Sequence, residues 1–234
     1  MNDQKIALIV GAGSGLSASL ARTFSAKGMK IALAARNTDK LSAIADQTGA
    51  KLYSCDAVDA RQVNNLFSGV IDQLGTPDVV VFNASSRVRG AITEIDPEEV
   101  KNALLVTAFG GFLVGQAAAK LMVPAGQGTI FFTGASAGVK GFPMSATFAM
   151  GKFGLRGLAQ SMARELHPKN IHVVHVIVDG GIRSIEKDRT QGVGDEADKW
   201  LDPDAIANTY YHLFSQHRSS WSWEIEVRPW IEKF

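Results

Sequence analysis

The chain has 234 residues, of which 46% are hydrophobic and 20% are charged. These fractions are typical of one globular domain and exclude disorder, collagen and coiled coil as descriptions of the whole chain. The formal net charge is +1, from 24 basic and 23 acidic residues. The chain therefore lacks the excess of basic residues that is typical of nucleic-acid-binding proteins. The single cysteine, Cys55, excludes an intrachain disulfide and a cysteine-cluster metal site.

Cysteine usage and apolar patterning also predict where the protein works. A single cysteine is typical of the reducing cytosol, so we expect a cytoplasmic protein. The first ten residues are polar and then strand-like, which does not match a signal peptide. No uninterrupted apolar run approaches about 20 residues, so we expect no membrane span.

Short apolar runs alternate with longer amphipathic stretches along the chain. The apolar runs predict strands at 5–10, 29–35, 51–55, 78–83, 128–134, 171–178 and 224–230. Helical spacing predicts helices over 16–28, 39–49 and 61–75, from Pro97 through the 110s, and over 143–167. Buried strands separated by helices indicate a parallel sheet covered on both faces. We therefore predict a single α/β domain over 1–234, a doubly wound (Rossmann) sheet of about seven strands.

One irregular stretch, 183–202, follows the sixth predicted strand and precedes Pro203. Ligands of doubly wound sheets lie beyond the carboxyl ends of the strands, so this stretch is a candidate substrate lid. The alternative interpretation is a solvated loop.

The turn after the first strand is rich in glycine. Gly11, Gly13, Ser14, Gly15 and Leu16 follow a buried strand and open a helix. Glycines in this context let backbone amides approach the pyrophosphate of a dinucleotide at the helix N-terminus. The alternative is a tight turn without a ligand.

The end of the second strand bears on the choice of dinucleotide. NAD sites usually carry an acidic residue there, but this chain has Ala35 and Arg36. Arg36 can bind a 2′-phosphate that no carboxylate repels, and Ser14 can add a hydroxyl donor. We therefore predict NADP(H) as the cofactor, the alternative for Arg36 being a solvated strand-end charge.

With these motifs the chain resembles the short-chain dehydrogenase/reductase family over essentially its whole length. The family turn is Thr-Gly-x-x-x-Gly-x-Gly, and here Val10 and Ser17 replace its first Thr and last Gly. The resemblance implies further cofactor contacts after three strands. Asp56 and Ala57 stand where the family contacts adenine, and Asn83, Ala84 and Ser85 replace Asn-Ala-Gly. Gly180, Ile182 and Ser184 stand in the segment that flanks the nicotinamide, where Asp179 replaces the family proline.

The resemblance fails at the family's catalytic residues. The family tyrosine stands four residues before a lysine, and here those positions are Phe148 and Lys152. The family serine aligns with Ala135 and the family asparagine with Thr107. Only Lys152 is retained, so we carry over its role of holding the nicotinamide ribose. The chain is most similar to an atypical subgroup of the family that has Phe in place of the catalytic Tyr.

No other side chain is predicted to replace the tyrosine. The adjacent Ser136 is expected to point away from the position of the family serine. Unactivated hydroxyls are poor acids, and no tyrosine is placed near Lys152 by the sequence. The histidines are interpreted as surface or packing residues without metal-ligand spacing, so we predict no metal site. The groups considered are Thr133, Ser136, Ser145, Thr147, Tyr53, Tyr210, Tyr211, His167, His172, His175, His212 and His217.

Two functions stay open at this point. The first is an NADP(H)-dependent oxidoreductase that reduces an activated double bond of an unidentified small molecule without a tyrosine acid. The second is a non-catalytic dinucleotide-binding sensor or assembly protein.

The resemblance also implies a homodimer or homotetramer, paired through the long fourth and fifth helices and often the last strand. Small residues on the predicted helix 143–167 would permit close helix approach: Ala146, Ala149, Gly154 and Gly157. The C-terminal aromatic residues offer further surface, although packing within the chain is the alternative: Trp221, Trp223, Trp230 and Phe234.

Overall fold

The computed structural model describes residues 4–190 and 198–232. Its centre is one sheet in which all neighbouring strands are parallel, in the order β3-β2-β1-β4-β5-β6-β7. The prediction of a seven-stranded doubly wound sheet is confirmed. The strands are β1 (Ile6–Val10), β2 (Lys30–Ala35), β3 (Lys51–Ser54), β4 (Val79–Phe82), β5 (Gly128–Thr133), β6 (Ile171–Val178) and β7 (Glu224–Val227).

Helices connect these strands and cover both faces of the sheet. A π-helical segment, Leu105–Phe109, joins the fourth and fifth helices into one continuous rod. Gly28 and Gly49 follow the first two helices in left-handed conformations, with φ of 82° and 67°. The helices are α1 (Leu16–Ala26), α2 (Ser42–Thr48), α3 (Ala60–Gln73), α4 (Pro97–Leu104), α5 (Gly110–Ala125), α6 (Ala146–Leu166) and α7 (Pro203–Phe214).

The alternating side chains of each strand divide the interior into two cores. Ile9 packs with α1 and α7 on one face, whereas its neighbour Leu8 packs with α3, α5 and α6 on the other. Every residue of β1 is buried, which explains its uninterrupted apolar sequence. This arrangement fixes the sheet firmly beneath the loops at its carboxyl edge.

Helix α7 is absent from our sequence predictions. Asp202 caps it, because its side chain accepts from the Asp204 backbone N–H at 2.8 Å, and Pro203 occupies the first turn. Ile206 and Tyr210 are buried against the sheet. The Asp-Pro start and this apolar spacing were sufficient to predict the helix.

The continuous rod Pro97–Ala125 bears on the expected absence of a membrane span. By length and composition alone, this 29-residue stretch could cross a membrane, because an 18-residue window within it has a mean hydropathy of 1.5. Core helices of soluble proteins pass the same test, and a third of the window, 33%, is buried. Thr107 and Gln116 interrupt its apolar run, which is why run length alone did not single it out. The expectation of no span stays a prediction.

The aromatic residues near the C-terminus differ in their surroundings. Trp221 stacks on His172 with ring centres 4.6 Å apart, and Trp223 lies beneath the Arg156 guanidinium. These two rings therefore pack within the chain, which was the alternative to a place in an interface between chains. Trp230 is 75% exposed, and Phe234 lies outside the described residues.

Candidate functional site

A cavity of about 1120 Å³ lies at the carboxyl edge of the sheet, near the adjacent strands β1 and β4. The order of the strands along the chain reverses between these two strands. Ligands of doubly wound folds bind at such a switch point. The cavity brings together most of the predicted cofactor residues: Gly11, Gly13, Ser14, Gly15, Leu16, Asn83, Ser85, Lys152, Gly180, Ile182 and Ser184.

The glycine-rich turn forms one end of the cavity. Gly11 has a φ of 82°, and a Cβ there would collide with the backbone of Ala84. A Cβ at Gly13 or Gly15 would meet nothing within 4 Å, and both residues line the cavity. Helix α1 has no side-chain cap and no acidic residue in its first turn. Its N-terminal amides thus suit an anionic group of a dinucleotide.

Asn83 holds this turn in place from the end of β4. Its Nδ2 donates to Ser17 Oγ at 2.7 Å, and Ser17 Oγ donates to the Gly11 carbonyl at 3.4 Å. The side chain of Asn83 therefore connects two neighbouring strands through the turn, in addition to lining the cavity.

A contact that the sequence did not predict links the turn to the segment after β6. Ser14 Oγ donates to Glu186 Oε1 at 3.0 Å. The candidate lid 183–202 thus reaches the glycine-rich turn through its described part. Residues 191–197 lie outside the described residues, so the lid stays a prediction.

Four predicted cofactor residues do not line the cavity. Arg36 is exposed beyond the end of β2, and no carboxylate lies within 4 Å of its guanidinium in the described part of the chain. Asp56 follows β3, where its backbone N–H donates to Gln62. Ala57 and Ala84 are packed against Gly110 and Gly11. Arg36 and Asp56 follow the carboxyl ends of β2 and β3, outside the cavity wall.

Lys152 is the most deeply buried charged residue in the cavity wall, with 3% of its surface exposed. Its Nζ donates to the Thr133 carbonyl at 2.6 Å. Burial disfavours the ammonium and lowers the pKa of Lys152 to about 8. The amine can therefore change charge close to neutral pH while its position is fixed by β5.

Phe148 lies one helical turn before Lys152 and also lines the cavity. The Arg87 guanidinium lies 5.0 Å from its ring centre and the Lys152 ammonium 5.8 Å. Ala135 lines the same wall without a polar group. A benzyl ring and a methyl group can neither donate nor accept a proton, so this wall supplies no acid at either family position.

Thr107 does not reach the cavity. It is buried in the π-helical segment, where its hydroxyl accepts from the Ser86 backbone N–H at 3.1 Å. A Cβ at Gly151 of α6 would lie 2.9 Å from the Thr107 Cβ. Thr107 is therefore a structural contact between α6 and the loop after β4.

The hydroxyl groups near Lys152 are mostly engaged in other bonds. Thr133 Oγ1 bonds the Tyr210 hydroxyl at 2.9 Å, and Thr147 Oγ1 donates to the Val88 carbonyl at 2.6 Å. Tyr210 is fully buried, which raises the pKa of its phenol, and it does not line the cavity. Ser136, which we expected to point elsewhere, lines the cavity beside Ala135.

Asp179 stands where the resemblance expects proline, and its surroundings explain the change. Its carboxylate is buried and bonds the Arg228 guanidinium, while Lys140 Nζ lies 3.5 Å away. A buried carboxylate needs such partners to offset its lost hydration. Asp179 thereby ties the end of β6 to the residues after β7.

The two histidines of β6 are packing residues, as predicted. His172 Nε2 bonds the Ser222 carbonyl at 2.9 Å, and His175 Nδ1 bonds Glu224 Oε2 at 2.9 Å. Burial lowers the pKa of each imidazole to about 4. Neither lines the cavity, and within residues 4–190 and 198–232 no group of three acidic, histidine or cysteine side chains could hold a metal.

Comparison with known proteins agrees with this fold. Residues 5–187 match the short chain dehydrogenase family, and the chain belongs to that family of oxidoreductases. Trans-4-hydroxycyclohexanecarboxylate dehydrogenase of Sinomonas cyclohexanicum is 31% identical over 73% of this chain and 70% of its own length. An uncharacterized oxidoreductase of Staphylococcus epidermidis is 26% identical over 97% of both chains.

Two solved structures extend the comparison to three dimensions. A short-chain dehydrogenase from Rhodopseudomonas palustris is 33% identical, with a TM-score of 0.83 over 97% of this chain and 99% of that chain. A metagenomic short-chain oxidoreductase in complex with NADP is 27% identical, with a TM-score of 0.82 over 96% and 97% of the two chains.

Proposed function

We propose that this protein is an NADP(H)-dependent oxidoreductase that reduces an activated C=C or C=N bond and takes its proton from water. One observation carries the proposal. The cavity keeps the glycine-rich turn and buried Lys152, but Phe148 and Ala135 stand where a proton donor and a carbonyl-polarising hydroxyl are expected. Such a cavity suits hydride transfer to an activated double bond better than alcohol–ketone interconversion, which needs a proton donor.

The residues present fit a dinucleotide phosphate. Gly13 and Gly15 leave space for a pyrophosphate at the uncapped N-terminus of α1. Arg36 has no carboxylate partner among the described residues and can bind a 2′-phosphate. The NADP complex of the metagenomic relative supports the same choice of cofactor.

NADPH, when bound, supplies a hydride. Lys152, whose Nζ donates to the Thr133 carbonyl, would hold the ribose hydroxyls of the nicotinamide end. A substrate reduced in this cavity would take its proton from water, because neither Phe148 nor Ala135 can supply one. Phe148 lines the wall and supplies no proton of its own. A hydride from the cofactor and a proton from water suit a double bond that is activated by an electron-withdrawing group.

The same changes favour a second candidate, a dinucleotide-binding protein without chemistry. Phe148 and Ala135 both lack proton-transfer groups, while the cofactor residues around Gly13 and Lys152 persist. Such a protein would bind NADPH and leave it unoxidised.

One experiment separates these functions. NADPH binding is measured by fluorescence titration, and NADPH absorbance is then followed with conjugated aldehydes, ketones, carboxylic acids and cyclic imines. Oxidation that depends on one of these compounds and is lost in Lys152→Met supports the reductase. Tight binding without oxidation by any of them supports the second candidate. Failure of the purified protein to bind NADPH would overturn both.

A further inference from the structure

The loop after β4 presents two arginines to the cavity. Exposure alternates over 85–89, since Ser85, Arg87 and Arg89 are exposed whereas Ser86 and Val88 are half-buried. The Ser86 N–H donates to Thr107 Oγ1, and the Val88 carbonyl accepts from Thr147 Oγ1. These bonds connect Ser86 to the π-helical segment and Val88 to α6. The odd-numbered side chains, Ser85, Arg87 and Arg89, line the cavity.

A third arginine reaches the cavity from the opposite side. The backbones of Arg189 and Ser184 exchange two hydrogen bonds, of 2.9 Å and 3.0 Å. The Arg189 guanidinium lies 5.4 Å from the Trp200 ring centre. Arg189 is thus held at both its backbone and its side chain, and it faces the same space as the two arginines of the β4 loop.

These three arginines lack the acidic partners that other arginines of the protein have. Arg183 bonds Asp202 at 2.7 Å and Arg156 bonds Glu224 at 2.7 Å. Within the described residues, no carboxylate lies within 4 Å of the guanidinium of Arg87, Arg89 or Arg189.

The cavity also contains carboxylates, and these lie at other contacts. Asp179 bonds Arg228, Glu186 accepts from Ser14, and Glu232 stands within 4 Å of none of the three guanidiniums. Arg87, Arg89 and Arg189 all line this one cavity, and burial together with the charges of Arg89 and Arg189 lowers the pKa of Arg87. Like charges held together at a cavity are stabilised when an anion binds between them.

The position of Arg87 places this charge at the reactive end of the cavity. Its guanidinium lies over the Phe148 ring at 5.0 Å and donates to Ser145 Oγ at 3.3 Å. Phe148 is one helical turn from Lys152, whereas the glycine-rich turn approaches the cavity from α1. Arg36 lies outside the cavity wall. Arg87 is therefore distinct from Arg36 and from the residues of the glycine-rich turn, which are expected to hold the phosphates of the cofactor.

We propose that Arg87, Arg89 and Arg189 bind an anionic group of the substrate, a carboxylate or a phosphate. This proposal rests on the proposed function, because it names the class of its substrate. Arginine suits the task, since its planar guanidinium can pair with two oxygens of either anion at once.

The test uses benzoate and phenyl phosphate as anionic probes and benzamide as the uncharged control. Each is titrated by calorimetry into the protein saturated with NADPH, in a chloride buffer near neutral pH. We expect at least one anion to bind and benzamide not to bind. Loss of one charge-assisted contact should raise Kd about tenfold or more in Arg87→Gln, Arg89→Gln and Arg189→Gln. The exposed Arg218 provides the matched control, and Arg218→Gln should leave Kd unchanged.

The relative affinity of the two anions identifies the source of the charge. Tighter benzoate indicates a carboxylate substrate, and tighter phenyl phosphate indicates a phosphorylated one. Absence of anion binding, equal binding of benzamide, or unchanged Kd in all three cavity variants would overturn the proposal. So would variants that weaken NADPH alone.

A further arm separates this proposal from the proposed function. If the protein does not bind NADPH, the anions are titrated into the cofactor-free protein and into Gly13→Asp. The added carboxylate faces the open space at Gly13 and blocks the phosphate cradle of the turn. Anion binding that survives Gly13→Asp and is lost in Arg87→Gln supports the arginine site alone, and loss only in Gly13→Asp overturns it.

Discussion

Lys152 Nζ lies 5.8 Å from the centre of the Phe148 ring, one helical turn away on α6. Lysine and phenylalanine thus keep the spacing of a lysine–tyrosine pair without its phenol oxygen. The Thr133 carbonyl, 2.6 Å from Nζ, takes a hydrogen bond from the ammonium. The relationship preserves a group that can bind a cofactor and removes the one that transfers a proton.

Arg36 should determine the preference for NADPH. A charge-assisted contact with the 2′-phosphate contributes about 1.5–3 kcal/mol, which is roughly ten- to hundredfold in affinity. We expect Arg36→Ala to raise the Kd of NADPH by that factor and to leave NADH unchanged, as measured by fluorescence titration. Arg218→Ala, at another exposed position, serves as the control. Equal affinity of the native protein for the two cofactors would contradict the prediction.

The charge of Lys152 should make cofactor binding depend on pH. Because burial lowers its pKa to about 8, the cofactor-free protein loses the ammonium as pH rises through that value. We expect the Kd of NADPH to rise up to about tenfold between about pH 7 and pH 9. Lys152→Met should bind weakly at both values and show no such change. A flat profile in the native protein would show that the ammonium does not hold the cofactor.

Local sequence patterns predicted most helices and strands of this fold, but they did not predict contacts between residues far apart in the chain. The apolar run of β1 and the glycines at Gly11 and Gly15 each signal their own structure within a few residues. Ser14 and Glu186 are 172 positions apart, and no spacing rule connects them. Asp179 likewise bonds Arg228 across 49 positions, so its replacement of proline had no evident reason in the sequence.

The three cavity arginines show the same limit. Arg87 and Arg89 follow a strand in an ordinary-looking loop, and only the contacts of Ser86 and Val88 reveal which side chains face the cavity. Arg189 joins them from a segment about a hundred positions later. Helix α7 is different, because a local signal at Asp202 and Pro203 was present and was overlooked.

His172 should make the fold sensitive to acid. Its Nε2 bonds the Ser222 carbonyl, and its buried Nδ1 has no hydrogen-bond partner among the described residues. A second proton would therefore be placed on Nδ1 without a partner. The folded-state pKa of about 4 lies below the ordinary 6.5, so the unfolded chain binds more protons between these values.

Stability is therefore lost as pH falls below about 6.5. Between about pH 7 and pH 5 we expect His172 to lower the free energy of unfolding by about 2 kcal/mol. Urea denaturation at the two pH values measures it. His172→Phe keeps a ring against Trp221 and should show a smaller decrease. An equal decrease in both proteins would assign the acid sensitivity to other groups.

Gly157 should lie in an interface between copies of the chain. A Cβ there meets nothing within 4 Å, and apolar side chains are exposed along the helices of this face: Phe109, Phe112, Met150 and Phe153. We expect a homodimer or homotetramer by light scattering, and Gly157→Trp should at least halve the mass while leaving the protein folded. Asn64→Trp, at an exposed position of α3, should keep the native mass. A native monomer at micromolar concentration would contradict this interface.

The native protein should not interconvert simple alcohols and ketones at a useful rate. General acid–base catalysis typically supplies about 10²- to 10⁴-fold in rate, and Phe148 cannot contribute it. The measurement is NADPH oxidation with a panel of simple ketones, and NADP reduction with the matching alcohols. Phe148→Tyr places a phenol one turn from Lys152 and should recover weak activity.

Ala135→Ser should add to that recovery, because Ala135 lines the cavity wall where a hydroxyl could polarise the carbonyl. We expect the double variant to exceed Phe148→Tyr, and Ala135→Ser alone to remain inactive, since it restores no proton donor. Phe148→Leu is the control for ring loss and should bind NADPH without turnover. Robust ketone reduction by the native protein would show that another group supplies the proton. Ser136, which lines the same wall, would then be the first residue to replace.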